Sequence, residues 1–299
     1  MSWKHVGERR VNIELLGFAT TLGLPRQAFR HGPESLRTGG LVRRLERLGA
    51  HVRDLGDMTV SEGQVSDPPP VRVAKTVEAS RRQAEYWLRH HRPGNLMLTL
   101  GGDHTTSLGT LWALSEMGEP FDVVWIDAHG DFNTLQTSPS GNPHGMVLAL
   151  ACGLMPEYVH QLVPPSALRL WGIRDLDFGE RLLLRREKVE IHDPHQTRSE
   201  AARLIDRLAP NVFVSFDIDS VEPAEAPATH TPVPGGFTRA QALDLVRRIA
   251  QRRRLLALDI VEFHPDKDRD RLTVELAMEV ARVSVAGQLH RRAAKPAQA

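Results

Sequence analysis

One cysteine, Cys152, stands in 299 residues, so the chain forms no internal disulfide, which fits a reducing cytosol. Aromatic side chains are scarce at 5%, leaving little to stack on nucleic-acid bases. Neither sign of charge is in excess: 38 Lys and Arg oppose 37 Asp and Glu, a formal charge of +1. That balance does not suit a polyphosphate groove or a protein built for an anionic membrane surface. No apolar run approaches membrane-spanning length, and "MSWKHVGERRVNIELL" lacks a signal-like apolar core. There is no G-x-G-x-x-G after the first strand and no G-x-x-x-x-G-K-[ST] loop, so the usual nucleotide cradles are missing. These absences lead to the expectation of a soluble, cytoplasmic protein.

What is present is ordinary globular material, 41% hydrophobic and 25% charged, and 299 residues are enough for one large α/β domain or two smaller ones. Eight segments read as strands: "VNIELLGF", "GAHVRDLG", "NLMLTLGG", "FDVVWIDA", "LRLWGIR", "VEIH", "NVFVSFDID" and "LLALDIVEF". Several are nearly continuous apolar runs, as strands covered on both faces are. Helical stretches separate most of them, among them "TVEASRRQAEYWLRHH", "TSLGTLWALSEM", "GERLLLRRE", "SEAARLIDRL", "RAQALDLVRRIA" and "LTVELAMEVARVSVAGQL". That alternation predicts a parallel sheet with helices on both faces. "SDPPPV" reads as a surface loop before a helix. No linker cuts the chain, so residues 1–299 are expected to form one domain, with about 290–299 as a loose tail.

In such sheets functional residues gather beyond the carboxyl ends of the strands. This chain loads those ends with acids and imidazoles. "NLMLTLGG" runs into Asp103 and His104, "FDVVWIDAHGDFNT" delivers Asp127, His129 and Asp131, and "NVFVSFDID" delivers Asp217 and Asp219. "LLALDIVEF" adds Asp259 and Glu262. Side chains two apart on an extended segment share a face, so three neighbouring strand ends would bring four carboxylates and two imidazoles together. Carboxylates a few Å apart repel, and some would stay protonated at neutral pH. Two divalent ions would cancel four Asp charges, and a hard set of oxygens and imidazoles without thiolate suits Mn²⁺, with Fe²⁺, Co²⁺ or Zn²⁺ as alternatives. Taken singly, D-x-H-x-D is more often loop capping, S-F-D-I-D an ordinary strand end, and "GGDHTTSLG" a turn opening a helix. Their joint placement at strand ends is what favours a two-metal site.

The blocks "GGDHTTSLG", "DAHGDFNT", "SGNPHG", "SFDID" with "PATHTPVPGG", and "DIVEFHP" resemble, in order and interval, the signatures of the ureohydrolase (arginase–agmatinase) family. "DFNTLQTSPSGNPHG" and "GIRDLDFGE" look like the bacterial-type arginases rather than the agmatinases. The resemblance implies a three-layer αβα sandwich around an eight-stranded, mostly parallel sheet, with two Mn²⁺ per subunit. One ion would take His104, Asp127, Asp131 and Asp217, and the other His129, Asp127, Asp217 and Asp219. It further implies His144 as proton shuttle, Asp131 among the catalytic groups, and Glu262 as the carboxylate that pairs with a guanidinium. Asn133 and Ser140 match positions for an α-carboxylate, Asp177 the position for an α-ammonium, and Thr231 a further pocket residue.

The implied activity is hydrolysis of the guanidino group of L-arginine, or of a close derivative, to ornithine and urea. The implied assembly is a homo-oligomer, trimer or hexamer, with a small-molecule substrate and neither nucleic acid nor membrane as partner. Four departures stand out: His230 where the family usually has glycine, Glu222 for aspartate, His264 for asparagine, and a missing glycine in "RQAFRHGP". His230 beside Thr231 would narrow the pocket, add a hydrogen bond or point outward. The departures raise a second expectation, an enzyme for N-hydroxyarginine or another guanidino or formimino compound. A third is an inactive metal-binding homologue with a structural or regulatory role.

Overall fold

In the strand Asp122–Ile126, Val123 and Trp125 join one apolar cluster while Val124 and Ile126 join another. Period-two alternation with both faces apolar means a sheet covered on both sides. A computed structural model describes residues 10–24, 29–59 and 66–294. Its strands are β1 (Asn12–Phe18), β2 (His51–Asp57), β3 (Leu96–Gly101), β4 (Asp122–Ile126), β5 (Leu168–Trp171), β6 (Glu190–His192), β7 (Asn211–Asp217) and β8 (Arg254–Val261). All eight strand readings hold. The helices among the described residues are α1 (Gly32–Thr38), α2 (Leu41–Arg47), α3 (Pro69–His90), α4 (Thr106–Met117), α5 (Val147–Ala151), α6 (Phe178–Arg186), α7 (Pro194–Asp206), α8 (Arg239–Arg252) and α9 (Leu272–Ala294). None is long and apolar enough to cross a membrane.

The strands form one sheet in the order β2-β1-β3-β8-β7-β4-β5-β6, and every pairing is parallel. One face packs on α1, α2, α7, α8 and α9 and the other on α3, α4, α5 and α6, giving the αβα sandwich. The order amends one expectation. The ends of β3, β7 and β4 are not immediate neighbours, because β8 lies between β3 and β7.

Local chemistry explains the boundaries. Asp193 with Gln196, and Thr238 with Gln241, form reciprocal caps that open α7 and α8. The edge strand β2 is held by Arg37 of α1, whose Nε and Nη2 donate to the two carboxylate oxygens of Asp54 at 2.8 and 2.9 Å. "SDPPPV" is only partly a loop, since α3 starts at Pro69. Proline fits the first turn of a helix, where its missing N–H would have no partner anyway. The expected tail is helical through Ala294, and residues 295–299 lie outside those described.

Candidate metal centre and active site

Every cluster residue sits at or just past the carboxyl end of a strand. Asp103 and His104 form the turn from β3 into α4, Asp127 to Asp131 follow β4, Asp217 closes β7, and Asp219 lies in the short helical turn Ile218–Ser220. Glu262 follows β8, so the intervening strand contributes to the same site. Asp131 and Glu262 adopt left-handed backbone, with φ of 48° and 61°. A side chain other than glycine in that conformation costs roughly 1–3 kcal/mol, which the surrounding packing must offset.

His104 is the hub. Its Nδ1 lies 3.1 Å from Asp127 Oδ2, 3.0 Å from Asp131 Oδ2 and 3.1 Å from Asp217 Oδ2. One nitrogen with at most one hydrogen cannot bond to three acceptors at once. His129 Nδ1 lies 3.1 Å from Asp219 Oδ2 and 3.5 Å from Asp127 Oδ1. Two triads therefore converge, His104–Asp127–Asp131 and Asp127–His129–Asp219, with Asp127 common to both. Backbone N–H groups hold the carboxylates in place. His129 N donates to Asp127 Oδ1 at 2.7 Å, Asp219 N to Asp217 Oδ1 at 2.8 Å, and Ala128 N to Asp219 Oδ1 at 3.2 Å. The His104 ring stacks on Trp125 with centroids 4.0 Å apart.

The electrostatics call for positive charge. Burial raises the pKa of Asp131, Asp217 and Asp219, and neighbouring carboxylates raise them further. Burial would push His104 and His129 down, yet the surrounding acids hold both well above the ordinary imidazole range. Burial would likewise raise Asp127, but the two imidazoles override it and hold it low. Protons serve such a cluster poorly, and cations serve it well. The spacing agrees: ligands at right angles around an ion about 2.1 Å away lie about 3.0 Å apart. Asp127 Oδ2 is also buried without a hydrogen bond. The donor set fits divalent ions.

A cavity of about 330 Å³ opens above the cluster. All the expected site residues except Asp127 line it, including His144, Glu262, Asn133, Ser140, Asp177, Thr231 and His230. Glu262 Oε1 accepts from the backbone N–H of His104 at 3.0 Å and lies 3.2 Å from His144 Nδ1. Its Oε2 is buried and has no partner. Glu262 outweighs burial and raises the pKa of His144. Elsewhere on the cavity wall Asn133 Nδ2 donates to Asp177 Oδ2 at 2.9 Å, and Thr231 Oγ1 donates to Asp219 Oδ2 at 3.1 Å.

The departures separate cleanly. His230 lines the cavity, with the Phe29 ring edge-on to it at 6.3 Å. Glu222 instead accepts the backbone N–H groups of Gly235 and Gly236 at 2.8 and 3.1 Å, closing a turn. His264 also meets Phe29, at 6.0 Å, and is absent from the cavity wall. In "RQAFRHGP", Arg26 to Ala28 lie outside the described residues.

Two acids on or beside the site, Glu180 and Asp175, stand outside the sequence reading, and a third, Asp103, is named there without a role. Glu180 lines the cavity, accepts from Phe132 N at 2.8 Å, and is pushed up by burial to about 8. It stands three residues after Asp177, the residue that precedes α6, so the two acids flank the first turn of that helix, a spacing visible in the sequence. Asp175 lies 3.8 Å from His129 Nε2. Asp103 accepts from the N–H groups of Gly23 and Leu24, pinning the loop that carries the wall residue Leu24.

A sequence profile described as "Arginase family" matches residues 11–286. The chain belongs to the arginase family. It is therefore a hydrolase of the metal-dependent amidinohydrolase type. It is 31% identical over 284 residues to an arginase of Bacillus caldovelox, a match covering 89% of this chain and 95% of that one. The crystal structure of the B. caldovelox arginase superposes with a TM-score of 0.84, covering 92% of this chain and 98% of that one at 30% identity. A proclavaminate amidino hydrolase from Streptomyces clavuligerus is similar at 25% identity and TM-score 0.73, covering 94% of this chain and 92% of that one. The same arrangement of strands thus carries relatives named for different substrates.

Proposed function

We propose that this chain is a manganese-dependent amidinohydrolase acting on L-arginine or a close derivative, giving L-ornithine and urea. One observation supports the reading above all others: the cavity has an unpartnered buried carboxylate oxygen, Glu262 Oε2, beside the acid–imidazole cluster, and the Asn133–Asp177 pair on its wall. A guanidinium at one end and an α-amino acid at the other match that polarity.

In this reading His104, Asp127, Asp131 and Asp217 hold one ion, and His129, Asp127, Asp217 and Asp219 the other. When bound, divalent ions supply Lewis acidity and a water acidic enough to ionise near neutral pH. Glu262 pairs with the guanidinium through Oε2 and holds its carbon over the cluster. Asp131 accepts the proton that the attacking water gives up and passes it to the nitrogen of the breaking C–N bond. His144 gives that nitrogen a second proton and recovers one from the hydroxyl left on carbon, so the amine leaves as ammonium and urea leaves neutral. Asp177 receives the α-ammonium, while Asn133 and Ser140 hydrogen-bond the α-carboxylate. Leaving any of these unpaired would cost about 1–3 kcal/mol, which favours an amino acid over a simple guanidino-amine.

His230 supports a second reading. An imidazole in the cavity wall is an added donor or acceptor for a substituted guanidine such as N-hydroxyarginine, which would release hydroxyurea. The test of both is kcat/KM for arginine, N-hydroxyarginine, agmatine and guanidinobutyrate after loading with Mn²⁺, scoring urea and amine. A clear preference for arginine removes the second reading, and agmatine as best substrate removes both. No hydrolysis with Mn²⁺, Fe²⁺ or Co²⁺ would leave the inactive homologue. We also read the chain as one catalytic domain that assembles as a cytoplasmic homotrimer or hexamer, which light scattering on the purified protein and fractionation of the source cells check.

A further inference from the structure

His104 presents Nδ1 to three carboxylates and Nε2 to the interior of the fold. There Nε2 lies 2.8 Å from Ser215 Oγ, and Ser215 Oγ lies 2.9 Å from Ser107 Oγ. Ser107 is in the first turn of α4 and Ser215 is on β7; both are fully buried. Beyond them is Asp259, within β8 and also fully buried. Its Oδ1 accepts from Thr110 Oγ1 at 3.1 Å, and the nearby hydroxyls of Thr99 and Ser107 favour its ionised form against the rise that burial imposes. Its Oδ2 is buried without a short hydrogen bond, an acceptor still open to a donor. Packing alone does not explain an acid here, because burying a carboxyl is unfavourable unless its oxygens are used.

We propose that Asp259 is a positioning residue for His104, acting through Ser107 and Ser215 to fix which ring nitrogen carries the hydrogen. A hydroxyl has one hydrogen to donate. In the proposed arrangement Ser107 directs its hydrogen at the ionised Asp259, so its oxygen accepts from Ser215, and the Ser215 oxygen in turn accepts from Nε2–H. Nδ1 then keeps its lone pair, aimed where Asp127, Asp131 and Asp217 converge. Run the other way, the chain of hydroxyls would place the hydrogen on Nδ1 and occupy the lone pair that a cation needs. Trp125, stacked on the ring, opposes a flip that would exchange the two nitrogens. The purpose of this chain rests on His104 being a metal ligand.

The experiment titrates metal-stripped protein with Mn²⁺ by calorimetry and follows the imidazole N–H signals of ¹⁵N-histidine-labelled, Zn²⁺-loaded protein. Ser107→Ala removes the link without touching a charge, and Asp259→Asn removes the charge while keeping the shape. Both variants are expected to weaken the ion beside His104 by about 10–100-fold and leave the ion beside His129 within twofold. Both should also speed exchange of the His104 Nε2 hydrogen. A merely structural role would weaken both ions together, and that outcome overturns the proposal. Unchanged affinity and exchange in Ser107→Ala overturns it as well. If the wild type binds no ion, the metal reading itself fails, and the relay loses its purpose with it.

Discussion

Asp127 extends one carboxylate oxygen toward each histidine of the cluster: Oδ2 lies 3.1 Å from His104 Nδ1 and Oδ1 lies 3.5 Å from His129 Nδ1. A residue common to both triads should matter to both ions, whereas His129 should matter to one. Asp127→Asn is expected to drop metal content below one ion per chain, and His129→Asn to leave about one. Activity of the Asp127 variant should fall about 10³-fold or more, a loss of about 4 kcal/mol in transition-state stabilisation. Elemental analysis after gel filtration reads the stoichiometry, and two ions retained in Asp127→Asn would refute the shared role.

Asp177 is held at the cavity wall by Asn133, well suited to an ammonium group. Asp177→Ala is expected to lower kcat/KM for arginine about 10–100-fold through a lost charged hydrogen bond. The same change should affect guanidinobutyrate much less, since that substrate keeps the carboxylate but has no ammonium for Asp177 to receive. The measured quantity is the ratio of the two kcat/KM values, and an equal loss on both substrates would move Asp177 out of the specificity role.

Glu180 gives a pH signature with a definite sign. Its carboxyl rises from 4.5 in the open chain to about 8 in the fold, chiefly through burial. The folded state therefore binds a proton that the unfolded state releases between those values. The protonated group lends its full share of stability below pH 4.5, and that share is lost as pH rises toward 8. Each pKa unit corresponds to about 1.4 kcal/mol, so the loss is several kcal/mol. Glu180→Gln should thus gain on the wild type steadily from pH 5 to pH 8 in urea titrations of metal-stripped protein. Parallel pH profiles for the two proteins would count against the assignment.

Cys152 is 4% exposed, and burial pushes its thiol up to about 12. At pH 8 only about one thiol in 10⁴ is ionised, and reagents attack the thiolate. The native chain is expected to resist an aromatic disulfide reagent for hours and to react within seconds once unfolded. Prompt labelling of the folded protein would show that this part of the core opens locally.

Much of this was legible because it is local. D-x-H-x-D after an apolar strand announces its own geometry, and α4 was read with both ends correct because its apolar run begins and stops sharply. α1 and α2 were missed, being seven residues each and separated by Gly39 and Gly40, too short for periodicity to register. The proline-rich start of α3 misled because proline breaks most helix turns and suits the first. Strand order is a different kind of information. Nothing local says that β8 inserts between β3 and β7, yet that insertion brings Glu262 beside His144. His230 and Glu222 looked equally unusual as letters, and only their placement separates a cavity wall from a turn brace.

Two of the acids at the site, Asp131 and Glu262, hold backbone angles that nature ordinarily leaves to glycine. A population of variants screened for heat resistance alone would be drawn to those two positions, since glycine there relaxes the chain. The survivors would be hardier proteins with no chemistry. Ruggedness and turnover pull against each other in this molecule at two known addresses, and an engineer should leave both alone.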